Sequence, residues 1–204
     1  MIDRLNNLSR KYPAIDFEEW FSVMDIPKEE KEERIEIAEK VNDTYLWLFN
    51  LIVLMVATGE TIDTESLTLS VEYRLSEIAN VNISYVSEHI TRLAAETVGT
   101  TVRNAEVDYY VSPQRASEIA ADEAHTLCEY TELQEAYENG KTRKTWHTRH
   151  DRRVRESHVN LDSKTIPITE LFETDGSYLM CPHDTENGAD LKEISGCRCW
   201  LTFS

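Results

Sequence analysis

Glycine and proline are scarce in this 204-residue chain, at six and five residues. Their scarcity excludes collagen-like and low-complexity architectures and leaves long uninterrupted helices open. Basic residues are also short: 21 Lys and Arg face 38 Asp and Glu, for a formal net charge of −17. A body so acidic repels phosphates, which argues against general nucleic-acid binding. Four cysteines are too few for a disulfide scaffold at this length, and they suit a reducing cytoplasm. The longest apolar run, residues 45–57, contains Asn50 and is shorter than a bilayer-spanning segment. The polar start, with Asp3 beside Arg4, is not expected to be a signal peptide. What is present, 41% hydrophobic residues, suffices to bury a core.

The charge is unevenly spread. Residues 1–140 hold 11 Lys and Arg against 28 Asp and Glu, whereas residues 141–204 hold ten of each. Within the neutral part, residues 141–155 carry seven basic side chains against Asp151 alone. Two readings of this cluster stay open. Lys141, Arg143, Lys144, Arg149 and Arg152 contact nucleic acid without sequence preference, or they pair internally with the acidic part.

The spacing of apolar residues predicts helices through the acidic part. Asp16 is placed to cap a short helix carrying Phe17, Trp20, Phe21 and Met24, with Pro27 closing it and opening a longer one. That longer helix begins with charged residues and thickens into Tyr45–Ala57, apolar on every face, so it is expected to be surrounded by protein, either at the centre of a bundle or with a face given to a partner subunit. Thr58-Gly59 ends it. Asp63 or Thr64 caps the next, with Leu67, Val71, Leu75 and Ile78 on one face, and a helix restarts at Asn82-Ile83-Ser84 with Val86, Ile90 and Leu93. A last long helix runs from Pro113 to about Asn139, with Ile119, Ala120, Leu127, Tyr130 and Leu133 as its buried stripe and Gly140 as its stop. Beyond Gly140, short β-branched runs at 142–148, 165–168, 177–180 and 197–203 alternate with turn residues. The expected class is α+β: a mainly helical N-terminal two-thirds, then a small irregular α+β module with short strands. The expected organisation is an acidic helical region, 1–112, and a second domain, 113–204. The module has little apolar area of its own and needs a staple or the helices to hold its shape.

Its polar residues identify it. In order come Ile119-Ala120-Ala121-Asp122-Glu123, Trp146, the run Asp151-Arg152-Arg153-Val154-Arg155-Glu156-Ser157-His158, then Pro182-His183-Asp184 and Cys197-Arg198-Cys199. This ordered set, over roughly residues 113–203, resembles the C-terminal domain of the phage Mu F-like minor head protein family. It departs from the family's usual pattern at Ala121, Ser163 and Cys181. The resemblance implies a structural protein of a tailed phage, carried in few copies in the capsid interior near the portal. It implies action in head morphogenesis and DNA packaging or delivery, with the host cytoplasm as the place of assembly. The signature positions it marks are Glu123, Trp146, Asp151, Arg153, Arg155, His158 and Asp184. The partners are portal or other capsid proteins and double-stranded DNA, with no membrane.

His158, Cys197 and Cys199 offer imidazole and thiolates for a structural zinc, with Cys181 as fourth ligand. The alternative is two half-buried thiols on one strand face, with His158 bonded to a carboxylate. Glu123, Asp151, Arg153 and Arg155 are expected to form a buried ion network, since guanidinium makes paired bonds to carboxylates. Arg198 should point away from the two cysteines, toward solvent or Asp184. A ribonuclease-like site, with His158 as acid-base and the arginines on a phosphate, is the enzymatic alternative; a helical adaptor is another. No catalytic residue is assigned. Trp146 with His147 and His150 reads as a core tryptophan or as a base-stacking surface.

Overall fold

The computed structural model describes residues 2–79 and 84–204. In chain order the elements are α1 (Ile2–Lys11), α2 (Phe17–Phe21), α3 (Lys28–Thr58), α4 (Thr64–Ala79), α5 (Ser84–Arg103), a 3-10 turn (Asp108–Val111) and α6 (Pro113–Glu138). They continue with β1 (Arg143–His147), α7 (Glu156–Val159), β2 (Thr165–Pro167), β3 (Phe172–Thr174), β4 (Ser177–Leu179), α8 (Leu191–Ile194) and β5 (Trp200–Phe203). Helices dominate the N-terminal two-thirds and short antiparallel strands follow, so the class is α+β. The helix restart expected at Asn82-Ile83 lies outside the described residues.

The helix ends have local chemical causes. Asp16 Oδ1 accepts from Glu19 N at 3.0 Å, and Asp63 Oδ1 accepts from Ser66 N at 3.1 Å, satisfying N–H groups that a first helical turn leaves unpaired. At the end of α6, Gly140 N donates to Tyr137 O and Lys141 N to Ala136 O, a closure that needs the positive φ of 75° at Gly140. Gly59 closes α3 in the same way.

Two compact units form. The first gathers Met1–Trp20 and Ile35–Glu123. Along α3, Val41, Tyr45, Leu48, Phe49, Ile52 and Val53 are buried, but Leu54 and Val56 are 38% and 36% exposed. The chain itself therefore does not enclose the helix on every side, which counts against the bundle-centre alternative and agrees with a face left for a partner. At 31 residues α3 is also long and apolar enough to cross a bilayer by length and composition alone, a possibility that the 45–57 run by itself excluded. Its inner face is instead occupied within the unit. Leu67, Val71 and Leu75 of α4 are buried, as are Val86, Ile90, Ala94 and Val98 of α5. Ala116, Ala120 and Ala121 of α6 are wholly buried, and such small side chains let backbones approach closely. Helix α1 had no expectation in the sequence; its Leu8 is buried and its Arg4 donates to Ala105 O at 2.9 Å.

The second unit gathers Phe21–Arg34 and Ala124–Ser204. Its sheet has the order β2-β1-β5, all antiparallel, pairing Trp146 with Leu201 and Lys144 with Ile166 and Phe203. A hairpin, β3-β4, turns at Asp175-Gly176, both at positive φ, as a two-residue turn requires. Trp146, Leu161, Phe172, Leu179, Ile194 and Leu201 form the core together with Cys181, Cys197 and Cys199. Arg34 ties the 21–34 segment to α6. Its guanidinium meets both oxygens of Glu132, at 2.6 and 2.8 Å, and Glu129 at 3.1 Å, with the Arg34 and Glu129 side chains fully buried.

Candidate metal centre

His158 sits on α7, and Cys197 and Cys199 sit on the irregular segment between α8 and β5. The expected strand at 197–203 begins only at Trp200, so the two cysteines are not held by strand alternation. Instead their chain turns at Gly196, where φ is 62° and an added Cβ would meet nothing within 4 Å. This turn brings both sulfurs to one nitrogen. Nδ1 of His158 lies 3.5 Å from Cys197 Sγ and 3.5 Å from Cys199 Sγ. All three ligand atoms fall within 4.8 Å of one another, and all three residues are buried.

A surrounding shell fixes these groups. Nε2 of His158 lies 3.2 Å from Glu193 Oε2, off the line of a good hydrogen bond, and Ser157 Oγ donates to the same oxygen at 2.7 Å. A carboxylate behind the ring favours the tautomer that leaves Nδ1 unprotonated toward the sulfurs. His183 Nε2 lies 2.6 Å from Cys197 O and His125 Nε2 lies 2.5 Å from Cys199 O, so the main chain of both cysteines is pinned by buried imidazoles. Trp146 packs edge-on to His158 at 5.3 Å; its indole N–H lacks an ordinary acceptor and helps the Cys199 thiolate instead.

The electrostatics split the two thiols. Burial acts to raise Cys197, but hydrogen bonds from Cys199 and His158 outweigh it and hold that thiol well below its ordinary value. Cys199 is pushed up, first by its hydrogen bond with Cys197 and then by burial. Two chemistries use such a group. One is a Cys-His-Glu nucleophile; the other is a metal site. The first has less support, because His158 and Cys197 are 1% and 2% exposed and the cavity beside them, about 10 Å³, takes nothing larger than a water-sized group. Geometry favours the second. Nδ1 has one lone pair or one hydrogen and bonds one sulfur well, yet two sulfurs stand at equal distance. Zinc bonds of about 2.1 Å to nitrogen and 2.3 Å to sulfur at tetrahedral angles put the ligands about 3.6 Å apart. The observed 3.5 Å fits that spacing. This group could hold a metal ion.

Cys181, the expected fourth ligand, does not join it. The Cys181 thiol is buried in the same core and driven well up, first by burial and then by Asp184, while Tyr130 bonds it. Asp184 itself is wholly buried and accepts from Tyr130 Oη, Met180 N, Glu186 N and Asn187 Nδ2, so it organises the 180–187 loop.

The expected ion network is wired differently. Glu123 is taken by His89 of α5, 2.6 Å away, because both lie on buried helix faces. Asp151 receives Arg198 at 3.0 Å and Arg149 at 3.2 Å, which corrects the outlook of Arg198 toward solvent or Asp184. Arg153 contributes its backbone N–H to Asp151 at 2.8 Å, and Arg155 donates to Ser195 O. Of the basic segment, Lys141, Arg143 and Arg152 are exposed. Lys144 is not. Its side chain is buried, Nζ donates to Met180 O at 2.7 Å, and burial lowers its pKa to about 8. It cannot face DNA from there. Trp146 is equally buried and is no stacking surface, while His147 stacks on Trp200 at 5.6 Å and exposed His150 approaches Asp162. His125, His183, Glu193, Glu129 and Arg34 carry much of the site's polar wiring and were not anticipated. His183 stood inside the quoted Pro-His-Asp run; nothing in composition or spacing distinguished the others from surface residues.

Among known families, that of the phage Mu protein F-like proteins matches residues 74–202. The chain belongs to the phage Mu protein F-like family. The match begins in α4, well before the expected boundary at Pro113, so α5 is part of the Mu F-like region as well. It contains Glu123, Trp146, the Asp151–His158 run, Asp184 and the Cys-Arg-Cys of this Mu F-like chain. No curated protein and no solved structure matches the chain.

Proposed function

We propose that this Mu F-like protein is a minor head protein of a tailed phage, acting at or near the portal in capsid assembly and in DNA packaging or delivery. Family membership suggests head morphogenesis and a virion component, and it is the observation that carries the reading. In this reading a structural zinc at His158, Cys197 and Cys199, within the family-matched region, supplies the staple that the small C-terminal core needs. Portal or capsid proteins are the partners of the helical part, where Leu69 and Tyr73 of α4 are 60% and 67% exposed. Lys141, Arg143, Arg149 and Arg152 supply weak, salt-sensitive contact with packaged DNA. A nuclease reading has less support, because its proton carrier would be the buried His158.

The test is genetic. A phage in which this gene is interrupted should yield particles that are non-infectious or empty of DNA, with the phenotype restored by the gene in trans. Mass spectrometry of purified virions should find the protein in few copies. Full infectivity of particles lacking it would overturn the reading.

A further inference from the structure

A metal held by four protein ligands is sealed, whereas one held by three keeps a position for an outside ligand. The cluster in the C-terminal unit is of the second kind. Among the described residues, no fourth His, Cys, Asp or Glu joins His158, Cys197 and Cys199. Cys181 is engaged with Tyr130 and Asp184 elsewhere in the core. Glu193 stands behind the imidazole, on the Nε2 side, and is shared with Ser157.

The three ligand residues instead line one small cavity, whose remaining walls are Arg153, Val154, Arg155, Gly196 and Arg198. Its volume is about 10 Å³, room for a single water-sized group. Gly196 leaves its wall without a side chain, and its positive φ keeps larger residues out. The charge around the cavity is positive. Arg155 donates to a main-chain carbonyl, Ser195 O, which satisfies a donor without cancelling the charge. A zinc ion with two thiolates is itself neutral, so the arginines set the preference for what approaches.

We propose that a zinc ion at His158, Cys197 and Cys199 keeps its fourth position for an exogenous single-atom donor, water or a small inorganic anion, admitted through the arginine-lined cavity. This rests on the zinc reading given above. The donor adds one bond to the metal and exchanges without any change in the protein's own ligands. Arg155, whose carbonyl acceptor leaves its charge uncancelled, favours an anion over water.

Cobalt in place of zinc makes the position visible. The full chain is purified with zinc, its metal content measured, and the zinc replaced by cobalt, which reports thiolate bonds and coordination geometry by absorption. The expected result, in chloride-free buffer, is one metal per chain, thiolate charge-transfer bands, and ligand-field bands that shift saturably on titration with chloride, a one-atom anion, while the thiolate bands persist. Arg155→Gln should weaken chloride binding several-fold with metal content unchanged. Cys181→Ser should leave the thiolate bands unaltered. Absence of bound metal overturns the zinc reading and this proposal together. Bound metal with spectra indifferent to chloride, or thiolate bands that fall in Cys181→Ser, leaves zinc standing and overturns the open position. The chloride titration needs no variant, so a poorly folding Cys181→Ser protein does not block it.

Discussion

His125 and His183, 5.0 Å apart and nearly perpendicular, hold the carbonyls of the Cys-Arg-Cys segment from inside the protein. His125 is kept neutral: burial, then the charges of His183 and Arg34, push its pKa well below 6.5. The unfolded chain takes up a proton near 6.5 that the folded one refuses, so the unfolded state binds more protons below that pH. Stability, read as the urea midpoint, is therefore expected to decline as pH falls through 6.5, and His125→Gln should flatten the decline. Lys144 runs the other way in pH. Burial lowers its folded pKa to about 8 against 10.5 unfolded, so stability should rise between those values, and Lys144→Met should abolish the rise. The burial of Lys144 was legible in principle. It shares parity with Trp146 on β1, and period-two alternation sends both to one face. Arg34 was not legible, since it sits in an acidic run that resembles a solvated helix start. Removing it strands the buried Glu129 carboxylate, and Arg34→Ala should cost about 3–5 kcal/mol in equilibrium unfolding.

At the scale of elements, α3 shows how far a pattern reaches. Its run of apolar residues announced a helix, and a helix is there, but composition did not say which face turns inward. Leu48 and Ile52 are wholly buried, whereas Leu54 is 38% exposed. Leu48→Asp or Ile52→Asp places an unpaired charge in a dry core, at a cost of more than about 4 kcal/mol, and should give aggregated protein. Leu54→Asp should stay soluble and equally helical by circular dichroism. Equal behaviour of the three variants would show that the inward face has been misassigned. The capped helices were legible because Asp16, Asp63, Gly59 and Gly140 act on neighbours within a turn. The short β3, α7 and α8 were not, because three or four residues carry no period to read.

On the scale of the whole molecule, the net charge of −17 bears on any contact with nucleic acid. Lys141, Arg143 and Arg152 are exposed, while Arg149 is paired with Asp151 and Lys144 is buried. If the basic segment serves DNA, anisotropy at rising salt should show binding that weakens steeply. Changing Lys141, Arg143 and Arg152 together to Gln should reduce the slope of log affinity against log salt by about 3. Binding indifferent to salt, or to the triple change, would confine the segment to internal pairing. The sequence by itself determined the helix ends, the α+β class and, through an ordered set of polar residues, the family. Each depends on residues near one another in the chain or on their order along it. Only the tertiary structure decided that Glu123 meets His89, that Asp151 meets Arg198, and that His158 meets two sulfurs but not a third. Those partners lie tens of residues apart, and a buried polar group pairs with whichever satisfying group the packing of the core brings within reach.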